Sequence, residues 1–409
     1  MKKLFPRLYF PINFGFIFIL IIGCSPSSMD TRQYHSQSQQ TKLVLNQKEA
    51  PFHHFSADTI DSTRYSGHIA SEIQKPVREV FGFYTEEEDT LPSSAPTLAA
   101  HHENISMIAP FTYKLDEEKP GHLKTDIPVD VRKKVIEHAH SRNIKVELLV
   151  HNLFYGSNAV GKQVARNILR YPHIQKTFFD ELQKEILSLG YDGVNIDIEN
   201  LFLEDKEAFT RFIKELSAIM HQHGKSISVN VPANTGDDRA NPWSPWFDYK
   251  ELSRSVDRLI IMAYDEHNPR TVPGPVASFQ WVEDTICYAL NQNVPANKIL
   301  LGVAGYGWDW SSTGEKAAYT TYSKLHAHMN KPASSLQWDS THQSPHLNYQ
   351  DASGNMHVAW FENSFSLRFK LALVEKYNLS GIALWRLGLE DPAIWNTLSS
   401  RIKVAKLVP

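Results

Sequence analysis

Tyr191-Asp192-Gly193-Val194-Asn195-Ile196-Asp197-Ile198-Glu199-Asn200 alternates polar and apolar side chains with the period of a β-strand. Asn195, Asp197 and Glu199 then share one face, and Val194, Ile196 and Ile198 share the other. Glu199 stands nearest the end of the strand, with Asp197 one layer below it at about 6–7 Å along the strand. Crowding two carboxylates in a low-dielectric site raises the proton affinity of at least one, which suits a general acid at neutral pH. An acidic structural network is the alternative use of the same spacing.

Outward from this stretch the chain repeats a strand-then-helix rhythm, the pattern of a parallel sheet with crossover helices. Strands are expected at 77–85, 105–113, 145–153, 191–200, 226–232, 258–264, 298–306 and 381–387, with helices at 131–142, 175–189, 206–223, 247–256, 278–291 and 368–377 and a last helix from Pro392. A polar loop is expected between the third strand and the helix at 175–189. Eight such units predict an α/β fold, a (β/α)8 TIM barrel, whose chemistry sits at the carboxyl ends of the strands. An open doubly wound sheet is the alternative, but no glycine-rich dinucleotide fingerprint follows the first strand. The barrel places Val194, Ile196 and Ile198 against the helices and Asn195, Asp197 and Glu199 inside. One interval, 311–362, is too long for a simple connection and holds Tyr319, Tyr322, Trp338, Tyr349 and Trp360. It is expected to form a small α+β insertion between strands seven and eight, with a hairpin at 345–361.

The 409 residues are 42% hydrophobic and 21% charged, as in an ordinary globular protein, and the formal net charge of −3 offers no basic excess for nucleic acid. The 19 histidines are scattered without zinc-site spacing, so neither metal nor cofactor is expected. Lys2, Lys3 and Arg7 precede an apolar run ending at Ile22-Gly23-Cys24, which resembles a bacterial lipobox. Residues 1–23 are therefore expected to be a signal peptide, Cys24 the lipidated residue, and 24–75, rich in Ser, Gln and His, a flexible tether to a catalytic domain at 76–409. An uncleaved signal anchor is the alternative. Either places the protein in the cell envelope outside the inner membrane.

Asp192-Gly193-Val194-Asn195-Ile196-Asp197-Ile198-Glu199 resembles the DGxDxDxE signature of glycoside hydrolase family 18, the chitinase-like hydrolases. Met262-Ala263-Tyr264-Asp265 is similar to the family's MxYD on strand six, Gly302-Val303-Ala304-Gly305-Tyr306-Gly307 to its GxPxYG on strand seven, and Trp385 in Gly381-Ile382-Ala383-Leu384-Trp385 to its tryptophan on strand eight. Met262 through His267, Val358 through Glu362 and Trp385 through Gly388 look most like the spore-germination and cortex-lytic branch, which acts on peptidoglycan.

The resemblance implies substrate-assisted hydrolysis, in which the 2-acetamido oxygen of the sugar is the nucleophile. Glu199 would be the acid and then the base, Asp197 would hold the acetamido N–H, and Tyr264 would bind the acetamido oxygen. Asp265, Met262, Asn195, Tyr306 and Trp385 would border the sugar, with Trp385 stacked on its apolar face. The implied partner is an N-acetylglucosamine-containing polysaccharide, peptidoglycan or chitin-type. A glycan-binding lipoprotein without turnover is the competing expectation. Two departures stand out: Asn195 replaces an aspartate, its amide expected to donate to Asp197, and His151-Asn152 stand where the family has SxGG.

Overall fold

The computed structural model describes residues 75–88, 90–154, 157–236 and 244–406. The expected signal peptide, Cys24 and nearly all of the tether lie outside them.

Eight strands run β1 Val77–Tyr84, β2 Met107–Pro110, β3 Lys145–His151, β4 Gly193–Asp197, β5 Ser226–Pro232, β6 Arg258–Met262, β7 Ile299–Ala304 and β8 Gly381–Trp385. Each pairs in parallel with the next, and β8 returns to β1 with Glu79 opposite Gly381, so the sheet closes into a barrel. All eight fall where the hydrophobic pattern places them. Val194, Ile196 and Ile198 join the outer core, which also holds Phe209, Phe212 and Leu216 from the helix Lys206–Gln222. That helix buries Ala208, Phe209, Phe212, Ile213, Leu216 and Met220, the three-and-four spacing of a helical stripe. The barrel interior has a separate core of Phe81, Phe83, Met107, Ala109, Leu149, Ile260, Leu300 and Ala383.

The expected polar loop after β3 is instead largely a helix, Asn158–Arg170. Ser157 caps it by accepting the Val160 N–H, and its buried Gly161, Val164, Ala165, Ile168 and Leu169 have the i, i+3, i+4, i+7, i+8 spacing of a helix face. The polar residues between them masked that stripe. The insertion begins five residues earlier than expected, at Tyr306, directly after Gly305 donates its N–H to the Trp385 carbonyl at 2.7 Å. It is a five-stranded antiparallel sheet ordered 318–321, 306–311, 356–361, 344–350, 335–339, with the helix Tyr322–Met329. The expected hairpin is present, His346 opposite Trp360 and Tyr349 opposite His357. Leu325, Leu347, Tyr349, Ala359 and Phe361 form its own core.

Candidate active site

β4 carries Asn195 and Asp197 inside the barrel, 0% and 2% exposed. Asn195 lies deeper than a substrate-contacting residue: its Nδ2 donates to Ser228 Oγ at 2.7 Å and to Asn230 Oδ1 at 2.9 Å. Both N–H groups of this buried amide are thereby spent inside the barrel, where the sequence placed a sugar contact. The donor to Asp197 is also a different residue. Asn230 Nδ2, from β5, reaches Asp197 Oδ1 at 2.7 Å and returns a 3.3 Å bond to Asn195 Oδ1. Below this amide pair, Ser228 Oγ donates to Glu147 and Ser226 Oγ to Glu147 at 2.7 Å, while Arg258 stands 3.7 Å from Glu147 and bonds both oxygens of Glu79 at 2.5 and 3.1 Å. A chain of satisfied polar groups thus runs from the barrel floor to Asp197, as buried polar groups require.

Burial pushes the Asp197 carboxyl up to about 6, against the Asn230 hydrogen bond, which favours the ionised form. Burial also pushes Glu199 well above the usual carboxylate range, and the charges of Asp197 and Asp265 add to it. Both carboxyls thus hold their protons more tightly than a solvated carboxylate does, and the neighbouring charges act on Glu199 in the direction that suits a general acid. The Tyr264 phenol is likewise pushed up, first by burial and then by Glu199, Asp197 and Asp265, so it remains a hydroxyl. Neither the Glu199 carboxyl nor the Tyr264 hydroxyl hydrogen bonds to a described residue, which leaves both for a ligand.

Tyr264 reaches the site because Gly302 has no side chain: a Cβ there would lie 2.5 Å from the Ile261 carbonyl oxygen and 3.1 Å from the Tyr264 ring. Asp265 follows in the left-handed region, φ +63, a conformation retained at a non-glycine residue only when its surroundings impose it. Here Tyr306 Oη donates to Asp265 Oδ1 at 2.5 Å and Trp308 Nε1 at 2.8 Å. Asp265 is open to solvent at the rim, although protein crowding around the carboxyl raises its proton affinity against those two donors. Tyr306, 2% exposed and stacked on Tyr319 at 4.7 Å, donates its hydroxyl to Asp265 and so supports that residue from inside. Met262, 9% exposed, is the last residue of β6.

Trp385 ends β8 half-buried, its ring edge-on to Phe83 at 5.2 Å and to Phe111 at 5.4 Å. Phe111 stacks on His151 at 4.0 Å, and His151 is the β3 partner of Asp197. Burial, then the Lys114 charge, lowers His151 to about 3, so its ring is neutral. Its Nδ1 accepts the Leu153 N–H at 3.2 Å, which assigns the ring proton to Nε2. The wall left open by the missing SxGG is therefore built of His151 and Phe111. The polar alternation Ser226, Ser228, Asn230 carried a sequence signal for Asn230; nothing local pointed to Phe111.

A carboxyl of raised proton affinity, a second carboxyl beside it, a phenol and a half-buried tryptophan together suit protonation of a glycosidic oxygen on a ring with an apolar face. Comparison with known proteins agrees. Residues 162–390 match the model of glycosyl hydrolases family 18. The chain is 27% identical over 312 residues to the uncharacterized glycosylase YvbX of Bacillus subtilis, covering 76% of this chain and 89% of that protein. It is 30% identical over 272 residues to the cortical fragment-lytic enzyme of the same organism, covering 65% of this chain and 62% of that one. The crystal structure of the Bacillus cereus spore cortex-lytic enzyme SleL superposes with a TM-score of 0.73 at 25% identity, covering 82% of this chain and 76% of the other. β4 with the loop that carries Glu199, the Tyr264–Asp265 turn and Trp385 at the end of β8 are thus set in a matching sequence and a matching barrel, and the chain belongs to glycosyl hydrolases family 18, as a glycosidase.

Proposed function

We propose that the protein cleaves β-linked N-acetylglucosamine bonds in peptidoglycan, with retention and by substrate assistance. The observation that carries this reading is the gathering of Glu199, Asp197 and Tyr264 in one buried site, with Asp197 hydrogen-bonded by Asn230 and the Glu199 carboxyl and Tyr264 hydroxyl unspent on any described residue. Glu199 gives its proton to the glycosidic oxygen as the C1–O bond breaks and the electron pair leaves with that oxygen. The acetamido oxygen, aligned by Tyr264, bonds C1 to form an oxazolinium whose N–H and charge are held by Asp197. Glu199, now a carboxylate, takes a proton from water, and that water opens the ring at C1. Peptidoglycan is favoured over chitin by likeness to the cortex-lytic relatives. In the same proposal Cys24 carries a lipid that holds the enzyme at the cell envelope.

The test is product analysis on intact peptidoglycan after borohydride reduction. N-acetylglucosaminitol at the new ends is expected. N-acetylmuramitol there would move cleavage to the other glycosidic bond of the same polymer and overturn the N-acetylglucosamine specificity, turnover confined to chitooligosaccharides would move the substrate to chitin-type glycans, and binding without turnover on either polymer would leave a lectin.

The role of Asp197 gives a pH prediction. Asn230 donates to its ionised form, so removing that donor raises the Asp197 pKa above about 6. Asn230→Ala should shift the acidic limb of the kcat/KM profile to higher pH, with a stability cost of about 1–3 kcal/mol for the amide left unpaired on Asn195. An acidic limb unmoved in a folded variant would show that Asp197 is not the group titrating there.

A further inference from the structure

β4 ends at Asp197, two residues short of Glu199, and the strand pairing on either side stops at His151 opposite Asp197 and at Ile196 opposite Val229. No sheet hydrogen bond therefore fixes the backbone that bears the acid. A side chain does so instead. Asn152, the first residue after β3, is 0% exposed, and its Oδ1 accepts the N–H groups of Glu199 at 3.0 Å and Asn200 at 3.3 Å. Its Nδ2 donates to the Asn200 carbonyl at 2.7 Å and to the Gly161 carbonyl at 3.1 Å. Both amide hydrogens and the carbonyl are committed, and a flipped amide would set N–H against N–H, so one orientation satisfies the set. Gly161 holds the other side: a Cβ there would stand 2.3 Å from the Asn152 carbonyl oxygen, which lets the helix Asn158–Arg170 close onto this loop.

We propose that Asn152 is the positioning residue for Glu199, extending the sheet ladder by one side chain so that the acid's carboxyl is presented at a constant place beside Asp197. The inference rests on the reading of Glu199 as the acid. Asn152 need touch no substrate; it acts through the Glu199 backbone, where a displacement near 1 Å costs about 10²-fold in rate.

The test compares kcat/KM, which reports the bond-breaking step, on two substrates: an N-acetylated glycan and a 4-nitrophenyl β-glycoside of the same sugar, whose leaving oxygen needs little protonation. Asn152→Ala is expected to lose about 10²-fold on the glycan and less than about tenfold on the aryl glycoside. Equal losses on both would reduce Asn152 to a structural residue and overturn the proposal. Glu199→Gln run alongside separates the two readings: selectivity absent in that variant too means that Glu199 is not the acid, whereas selectivity present there and absent in Asn152→Ala refutes only the role of Asn152. Asn152→Asp keeps the acceptor for both N–H groups and adds a negative charge near Glu199. Its glycan loss should be smaller than that of Asn152→Ala, and its alkaline limb should lie at higher pH. If Asn152→Ala fails to fold, an Asn152→Asp alkaline limb coincident with that of the unaltered enzyme overturns the proposal.

Discussion

Glu199→Gln is expected to lower hydrolysis of an N-acetylated glycan by about 10²- to 10⁴-fold, the contribution of a general acid, while leaving the protein folded and able to bind. The folded state tolerates the change because the Glu199 carboxyl makes no hydrogen bond to a described residue, so an isosteric amide removes none. It also removes a buried carboxyl whose proton affinity is raised by burial and by the charges of Asp197 and Asp265, which makes a gain in thermal stability more natural than a loss. Rate should therefore fall with an unchanged or higher melting temperature and a near-constant dissociation constant for an N-acetylated oligosaccharide, measured by calorimetry. A variant retaining activity within tenfold of the unaltered enzyme would assign the proton to another group. A variant that loses binding and turnover together would make Glu199 a ligand for the ground state.

The depth to which the site was legible follows from which forces are local. Alternation along Asn195, Asp197 and Glu199 reports which face a side chain takes, because the strand period is two and one face must meet the helices. The face assignment is correct: Ile196 and Ile198 sit in the outer core, Asp197 inside. The partner of each inward group is a matter of neighbouring strands. Asn195 was expected to serve Asp197 because the two are close in sequence, yet the residue at donor distance is Asn230, one strand over. Ser226, Ser228 and Asn230 show the same alternation as β4, so a second polar ladder was visible, though its register against the first was not. The helix Asn158–Arg170 was missed for a different reason: its apolar stripe is interrupted in sequence by the half-buried polar residues Lys162, Arg166 and Asn167. Asn152 stood out only as a departure from SxGG; what it holds was out of view, because its partners lie on that helix and on the loop beyond β4.

A glycan stripped of its N-acetyl groups is expected not to be cleaved, with a loss beyond about 10⁴-fold, because an intramolecular nucleophile supplies effective molarities of about 10⁵ M or more. The site explains why no side chain replaces it. A covalent glycosyl-enzyme needs a carboxylate free to reach C1. Asp197 is buried and bonded to Asn230, and Asp265 accepts Tyr306 and Trp308 through one oxygen at the rim. In the proposed mechanism Glu199 is the proton donor and cannot also attack. In that mechanism the acetamido oxygen, already part of the substrate and aligned by the Tyr264 hydroxyl, is left as the nucleophile. Partially de-N-acetylated polymer sharpens the test, because bond breaking at C1 requires the acetyl group on the same sugar, and that sugar becomes the new reducing end. Sequencing the products by mass spectrometry should find N-acetylglucosamine at every new reducing end, while the sugar on the leaving side is free to be either acetylated or not. Glucosamine at new reducing ends in proportion to its abundance in the polymer would mean that a protein carboxylate attacks C1, and Asp197, freed from Asn230, would then be the residue to examine.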